Sequence, residues 1–309
     1  MPTLIAIAIA GFIAQLVDGS LGMGYGVTST TFLLTLGLAP ALASASVHLA
    51  EIGTSAVSGV AHWRLGNVNT RVLLMIGVPG GIGAFLGAVV LSNLSLDAAR
   101  PVVSLVLLVL GGVILLRFIH RRRVAAALEA GEAAPAQLGA GVGGQRRRWM
   151  LVPLGLVGGF LDASGGGGWG PVTTSTLMAS SRMQPRKIIG TVSGSEFIVS
   201  VCASLGFLLA LGSAGLDLGI VAAMLIGGGI AAPLSAWLVS RLDERVLGTG
   251  VGALIIFLNL DRALVLFGFD PAIGLALRLV VVALAVAVVG WLFFQSRNRT
   301  VPAPGPGPV

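Results

Sequence analysis

The segment GFIAQLVDGSLGMGYG, Gly11 to Gly26, returns later in the chain as GLVGGFLDASGGGGWG, Gly155 to Gly170. In that alignment Asp18 meets Asp162, Ser20 meets Ser164, and Gly22, Gly24 and Gly26 meet Gly166, Gly168 and Gly170, with Tyr25 opposite Trp169. After one residue of slippage the register continues, Pro40 meeting Pro185, Val47 meeting Val192 and Glu51 meeting Glu196. Farther on, Gly81-Ile82 meets Gly229-Ile230 and Leu96-Asp97 meets Leu242-Asp243. Two apolar sequences match by chance at many Leu and Gly positions, so the weight falls on the Asp, Pro and Glu matches. They indicate an internal duplication with an offset of 144 to 148 residues.

Both copies sit in a chain with no soluble reading. Of 309 residues, 55% are hydrophobic and 10% charged, against roughly a quarter charged in an average soluble domain, and the mean hydropathy is +0.98. The 46 glycines suit helices that approach closely and backbone that bends inside a bilayer. The net charge of +7 is not a nucleic-acid footprint, because the basic residues cluster between apolar runs, as in Arg121-Arg122-Arg123 and Arg146-Arg147-Arg148. The single cysteine, Cys202, excludes a disulfide and a cysteine metal site. No metal or cofactor is expected. The amino terminus has no basic region ahead of its apolar stretch and no small-residue cleavage site, so it reads as a first helix.

Seven apolar runs approach the ~20 residues needed to cross a ~30 Å hydrocarbon core: about 41–60, 72–92, 101–119, 188–211, 217–240, 246–267 and 272–294. Four shorter runs form two pairs, 3–17 with 27–37 and 149–161 with 171–181, each interrupted by a glycine tract. If each pair crossed the membrane once, Arg182, Arg186, Lys187, Arg241 and Arg245 would lie outside with the linker inside, against the positive-inside bias. If each pair dips in and returns, those five join Arg64, Arg71, Arg297 and Arg299 in the cytoplasm, and the outer loops hold only Arg100. Each half then has three full spans, so the halves are inserted in opposite orientations. The expected fold is an all-α integral membrane protein, an inverted-repeat bundle of about seven to nine transmembrane helices with two glycine-rich re-entrant hairpins. Its parts are a first repeat at 1–120, a cytoplasmic linker at 121–148, a second, inverted repeat at 149–267, an additional C-terminal helix at 268–296 and a disordered tail at 297–309.

Irregular backbone at membrane depth must be buried in protein or line a wet cavity. Each glycine tract leads into a short helix that begins with hydroxyls, and a helix amino terminus offers unpaired N–H groups and partial positive charge. Gly24, Gly26, Thr28 and Ser29, with Gly168, Gly170, Thr173 and Thr174, are the expected oxyanion site. The competing reading is that these glycines only allow tight crossing and the hydroxyls satisfy local carbonyls. Glu51 and Glu196 fall mid-span, and an intramembrane ionisable residue is a functional candidate by default. A carboxylate beside an anion would repel it if ionised, so both are assigned to proton coupling or gating. His48, three residues before Glu51 on the same helix face, joins them. Asp18 and Asp162 are expected to shape the hairpins by accepting from tract amides. Asn259, Asp261, Arg262 and Arg278 gather near the outer end of their spans, where an Asp261–Arg278 pair fits. Trp63, Trp149, Trp237 and Trp291, near span ends, read as interface anchors.

The duplicated halves, with LVDGSLGMGYGVTSTTFLL near the start, FLDASGGGGWGPVTTSTLM after the linker and a Pro-then-Glu spacing after each, resemble the TauE/SafE family of sulfite exporters. The likeness covers the chain except linker and tail, and DASGGGGWGP is its most specific element. It implies a carrier in the inner membrane for a small sulfur oxyanion, sulfite or an organosulfonate such as sulfoacetate. The lipid bilayer and, from the mid-span glutamates, protons are the other expected partners, and the charge clustering leaves no place for nucleic acid. A passive anion channel and a carrier of thiosulfate or a carboxylate are the alternatives. Enzyme readings fail on residue order: Asp162-Ala163-Ser164-Gly165 superficially resembles a rhomboid serine motif, yet all three histidines precede residue 121, where such a protease needs one on a later helix. Substrate, direction, coupling ion and oligomeric state are not written in the sequence.

Overall fold

The computed structural model describes residues 4–21, 23–129, 145–181, 183–212, 217–239, 244–269 and 273–281, with scattered positions to 290. Among them every regular element is a helix. The order is α1 (Leu4–Leu21), α2 (Tyr25–Thr35), α3 (Pro40–Arg64), α4 (Thr70–Asn93), α5 (Leu96–Glu129), α6 (Gln145–Gly165), a π-helical turn (Gly170–Thr174) running into α7 (Ser175–Ser180), α8 (Pro185–Leu211), α9 (Leu218–Val239) and α10 (Glu244–Val265). Local chemistry explains the starts. Pro40 and Pro185, matched in the sequence, open α3 and α8 at positions where the missing N–H costs nothing. Asn69 caps α4, its side chain accepting from the Val72 amide at 3.2 Å.

Four described helices are long and apolar enough to cross a membrane: Thr70–Asn93, Leu96–Phe118, Arg186–Leu211 and Leu247–Val265. α4 shows what such a helix does with its faces. Leu74, Val78, Ile82, Leu86 and Val90, one every four residues, are about half exposed, while Ile76, Ala84 and Leu91 are buried. Both faces are apolar because one meets lipid and the other meets protein. α2, with 11 residues, rises roughly 16 Å, half the hydrocarbon thickness.

The helices pack across the two halves. α4 lies against α6 and α8, α9 against α1, α5 against α10 and α3 against α8. Two contacts are related by the offsets that align the sequence: Gly11 abuts the Met224 backbone and Gly155 the Ile76 backbone, with no room for a Cβ at either glycine. Close backbone approach through small residues is how apolar helices gain dispersion energy in lipid.

Some boundaries differ from expectation. The apolar run expected at 3–17 continues as helix to Leu21, and α2 begins at Tyr25. Helix also enters both ends of the expected linker, through Glu129 and from Gln145, because its Ala, Glu and Arg content favours helix where no proline intervenes. Residues 130–144 and the tail at 297–309 lie outside the described residues.

Candidate functional site

Asp18, one turn before the end of α1, accepts from the Tyr25 amide at Oδ1, 3.3 Å away. Asp162, at the matching place in α6, accepts from the Trp169 amide at 2.8 Å. Each carboxyl group thus closes its tract by holding the first amide of the helix that follows, which satisfies an orphan N–H at the positive helix end. The backbone repeats the match, the Thr28 amide donating to Gly24 O at 3.0 Å and the Val172 amide to Gly168 O at 2.9 Å. The helices after the tracts differ in form: α2 starts as a regular helix from a left-handed Gly24, whereas the second starts with a π-helical turn.

The two tracts touch. A Cβ on Gly26 would stand 2.7 Å from Gly167 Cα and 2.9 Å from Glu51 Oε1, so the crossing tolerates only glycine. Thr30 Oγ1 donates to Gly166 O across it, and Ser44 Oγ donates to Ala163 O at 2.7 Å. Of the expected anion-site residues, Gly24, Gly26, Thr28, Ser29, Gly168, Thr173 and Thr174 are buried and Gly170 is half-buried. Thr28 Oγ1 and Ser29 Oγ have no hydrogen-bond partner, whereas Thr173 Oγ1 donates to Trp169 O in its own turn. The hydroxyls of the two tracts are therefore not equivalent.

The ionisable groups converge on the same crossing. His48 Nδ1 lies 3.0 Å from Glu51 Oε2 and 3.8 Å from Asp162 Oδ2, and all three side chains are at most 4% exposed. His48 Nε2 and Asp162 Oδ2 are buried without a hydrogen-bond partner. Ser200, on α8, donates to Glu51 Oε2 at 3.4 Å. Glu196 is half-buried and within electrostatic range of Glu51, Asp18 and Asp162. One ligand atom each from His48, Glu51 and Asp162 falls within 4.8 Å of the others, a set that could also hold a cation. Sequence spacing could not foresee this set, because its third member comes from the other half.

Two features passed unread in the sequence. Ser44, His48, Glu51 and Ser55 on α3 recur at helical spacing and are all buried. On α8, Ser193, Glu196, Ser200 and Ser204 share the corresponding spacing, giving each apolar helix one polar seam. The other is Arg117, whose guanidinium reaches Met23 Sδ at 2.8 Å, Met178 Sδ at 3.0 Å and Ser175 Oγ at 3.3 Å. An arginine inside an apolar run is itself a functional signal. At the far end, Arg278 Nη1 meets Asp261 Oδ2 at 2.5 Å.

The family model for the sulfite exporter TauE/SafE matches residues 7–261, which takes in both tracts and every ionisable group of this cluster. The chain belongs to the TauE/SafE family. It is 47% identical over 259 residues to a protein of Bacillus subtilis (strain 168) named "Probable membrane transporter protein YtnM", a match covering 84% of this chain and 82% of that one. No solved structure matches. This TauE/SafE chain is accordingly a multi-pass membrane transport protein, and its conspicuous buried polar cluster lies where the two tracts cross.

Proposed function

We propose that this TauE/SafE protein is a secondary carrier of the inner membrane that moves a small sulfur oxyanion, sulfite or an organosulfonate, together with protons. The anion lies at the crossing of the two tracts, beside Thr28, Ser29, Thr173 and Thr174 and the amides of Gly24, Gly26, Gly168 and Gly170. The observation that carries this reading is the meeting of Gly26 with Gly167 beside partnerless hydroxyls and a buried His48–Glu51–Asp162 group.

Charge balance supports proton coupling. Two like charges 4 Å apart at an effective dielectric of 20 repel by about 4 kcal/mol. Four carboxylates, one histidine and an anion therefore cannot share the crossing with every carboxylate ionised. Protons enter with the anion, and Glu51, Glu196 and His48 hold them. A monoanion that travels with one proton moves without net charge. Asp18 and Asp162 keep the tract shape by capping Tyr25 and Trp169, which their hydrogen bonds support.

The inverted arrangement of the halves rests on the arginine distribution and is supported by the matched contacts of Gly11 and Gly155. In such a carrier the repeats rock about a midplane site. The test is flux of labelled sulfite into proteoliposomes holding the purified protein. Saturable flux that an imposed pH gradient accelerates, with binding abolished in a folded Gly168→Leu variant, supports the carrier. Flux that is linear in concentration and indifferent to pH would make the protein a passive channel.

A further inference from the structure

Away from the tract crossing, a cavity of about 210 Å³ opens at the carboxyl end of α2, lined by Leu34, Thr35, Gly37, Leu38, Arg100, Ser104 and Arg262. A water occupies about 30 Å³ in the liquid, so the space takes a small oxyanion and part of its hydration shell. Among the described residues no carboxylate lines it, and two arginines from different helices, α5 and α10, do. Ser104 is fully buried with a partnerless Oγ, and Arg262 Nη1 is buried without a hydrogen-bond partner. Asp261, the nearby acid, pairs with Arg278; it is also within electrostatic range of Arg262, where Arg278 and Arg100 together add more like charge than it offsets. The carboxyl end of α2 would favour one nearby cation. It does not account for two, nor for a partnerless buried hydroxyl lining the same cavity.

A row of hydroxyls runs inward from the cavity along α2. Thr35, Thr31 and Thr28 lie on one face of α2, and Thr35 Oγ1 donates to Thr31 O at 2.8 Å. Asn259, fully buried and one turn before Arg262, donates from Nδ2 to Thr31 Oγ1 at 3.1 Å and leaves its Oδ1 partnerless. We infer that Arg100, Arg262 and Ser104 form a second, peripheral oxyanion site, a capture vestibule from which the anion reaches the tract crossing along the Thr35–Thr31–Thr28 face. The onward route rests on the central site proposed above, but the vestibule itself does not.

The test needs no knowledge of the transported substrate. In full-length protein carrying Cys202→Ser, Thr35→Cys places a reporter thiol at the cavity, where Thr35 is exposed. Its labelling is timed with an anionic methanethiosulfonate (ethylsulfonate) and a cationic one (ethyltrimethylammonium) in detergent. A positively focused cleft raises local anion concentration tenfold or more. Referred to each reagent's rate with a free thiol in solution, the anionic reagent is expected to gain at least tenfold over the cationic one, and sulfate to slow it more than chloride does at equal ionic strength. Arg262→Gln and, separately, Arg100→Gln should each cut the preference several-fold. Arg100 is solvent-exposed, so its variant keeps the test valid if Arg262→Gln does not fold. A rate ratio equal to that of a free thiol, or a preference that survives both substitutions, would overturn the vestibule. That result would leave the central site standing if Gly168→Leu still abolished sulfite binding.

Discussion

In the first half Asp18 is half-buried and reaches its amide at 3.3 Å, whereas in the second Asp162 is 2% exposed and reaches its amide at 2.8 Å. Glu51 has His48 one turn away and Ser200 opposite, while residue 193, in the place of His48, is a serine beside Glu196. The two matched segments therefore share a scaffold, the aspartate-capped tract and the proline-opened helix after it, and differ in the chemistry they carry. The only histidine at the crossing belongs to the first half, and the tighter aspartate beside it belongs to the second.

The largest expected difference between the halves is steric. Gly167 has φ +143° and its Cβ would strike the Gly26 backbone, whereas Gly24, at φ +108°, has nothing nearer than Val17 at 3.8 Å. Backbone strain costs about 1–3 kcal/mol and overpacking about as much again. Gly167→Ala should lower stability by about 3 kcal/mol or more and Gly24→Ala by about 1 kcal/mol, read as thermal unfolding midpoints in detergent. Equal losses would mean that the tracts do not meet as described.

The aspartates should follow the same order. Asp162→Ala strands the buried Trp169 amide, at about 2–3 kcal/mol, and Asp18→Ala strands a half-buried one, at about 1 kcal/mol. A matching pair of unfolding midpoints would make the two caps equivalent. For the glutamates the readout is flux. Glu51→Gln should leave sulfite binding near normal and remove the acceleration by a pH gradient, while Glu196→Gln retains part of it. Wild-type pH dependence in both variants would reduce the glutamates to structural roles and leave the carrier uncoupled or coupled elsewhere. The smallest effect belongs to the Asp261–Arg278 pair, which is 39% and 25% exposed. Asp261→Asn should cost less than about 1 kcal/mol and leave flux unchanged.

Sequence alone determined the class, the pair of matching segments and the aspartate–glycine tracts. These depend on single residues and their spacing: apolar length reports the bilayer, Pro40 and Pro185 report helix starts, and an aspartate seven residues before Tyr25 or Trp169 can reach back to its amide. Tertiary structure decided that Asp162 stands beside His48 and Glu51, that Gly26 lies on Gly167, and that Arg100 and Arg262 share a cavity. Those contacts join residues more than a hundred positions apart, so they depend on which helix packs against which. In a soluble protein the polar face of each helix would have marked its inside. Here lipid and core are both apolar, as the two faces of α4 are, and only the buried serine seams of α3 and α8 betray in sequence the side that turns inward.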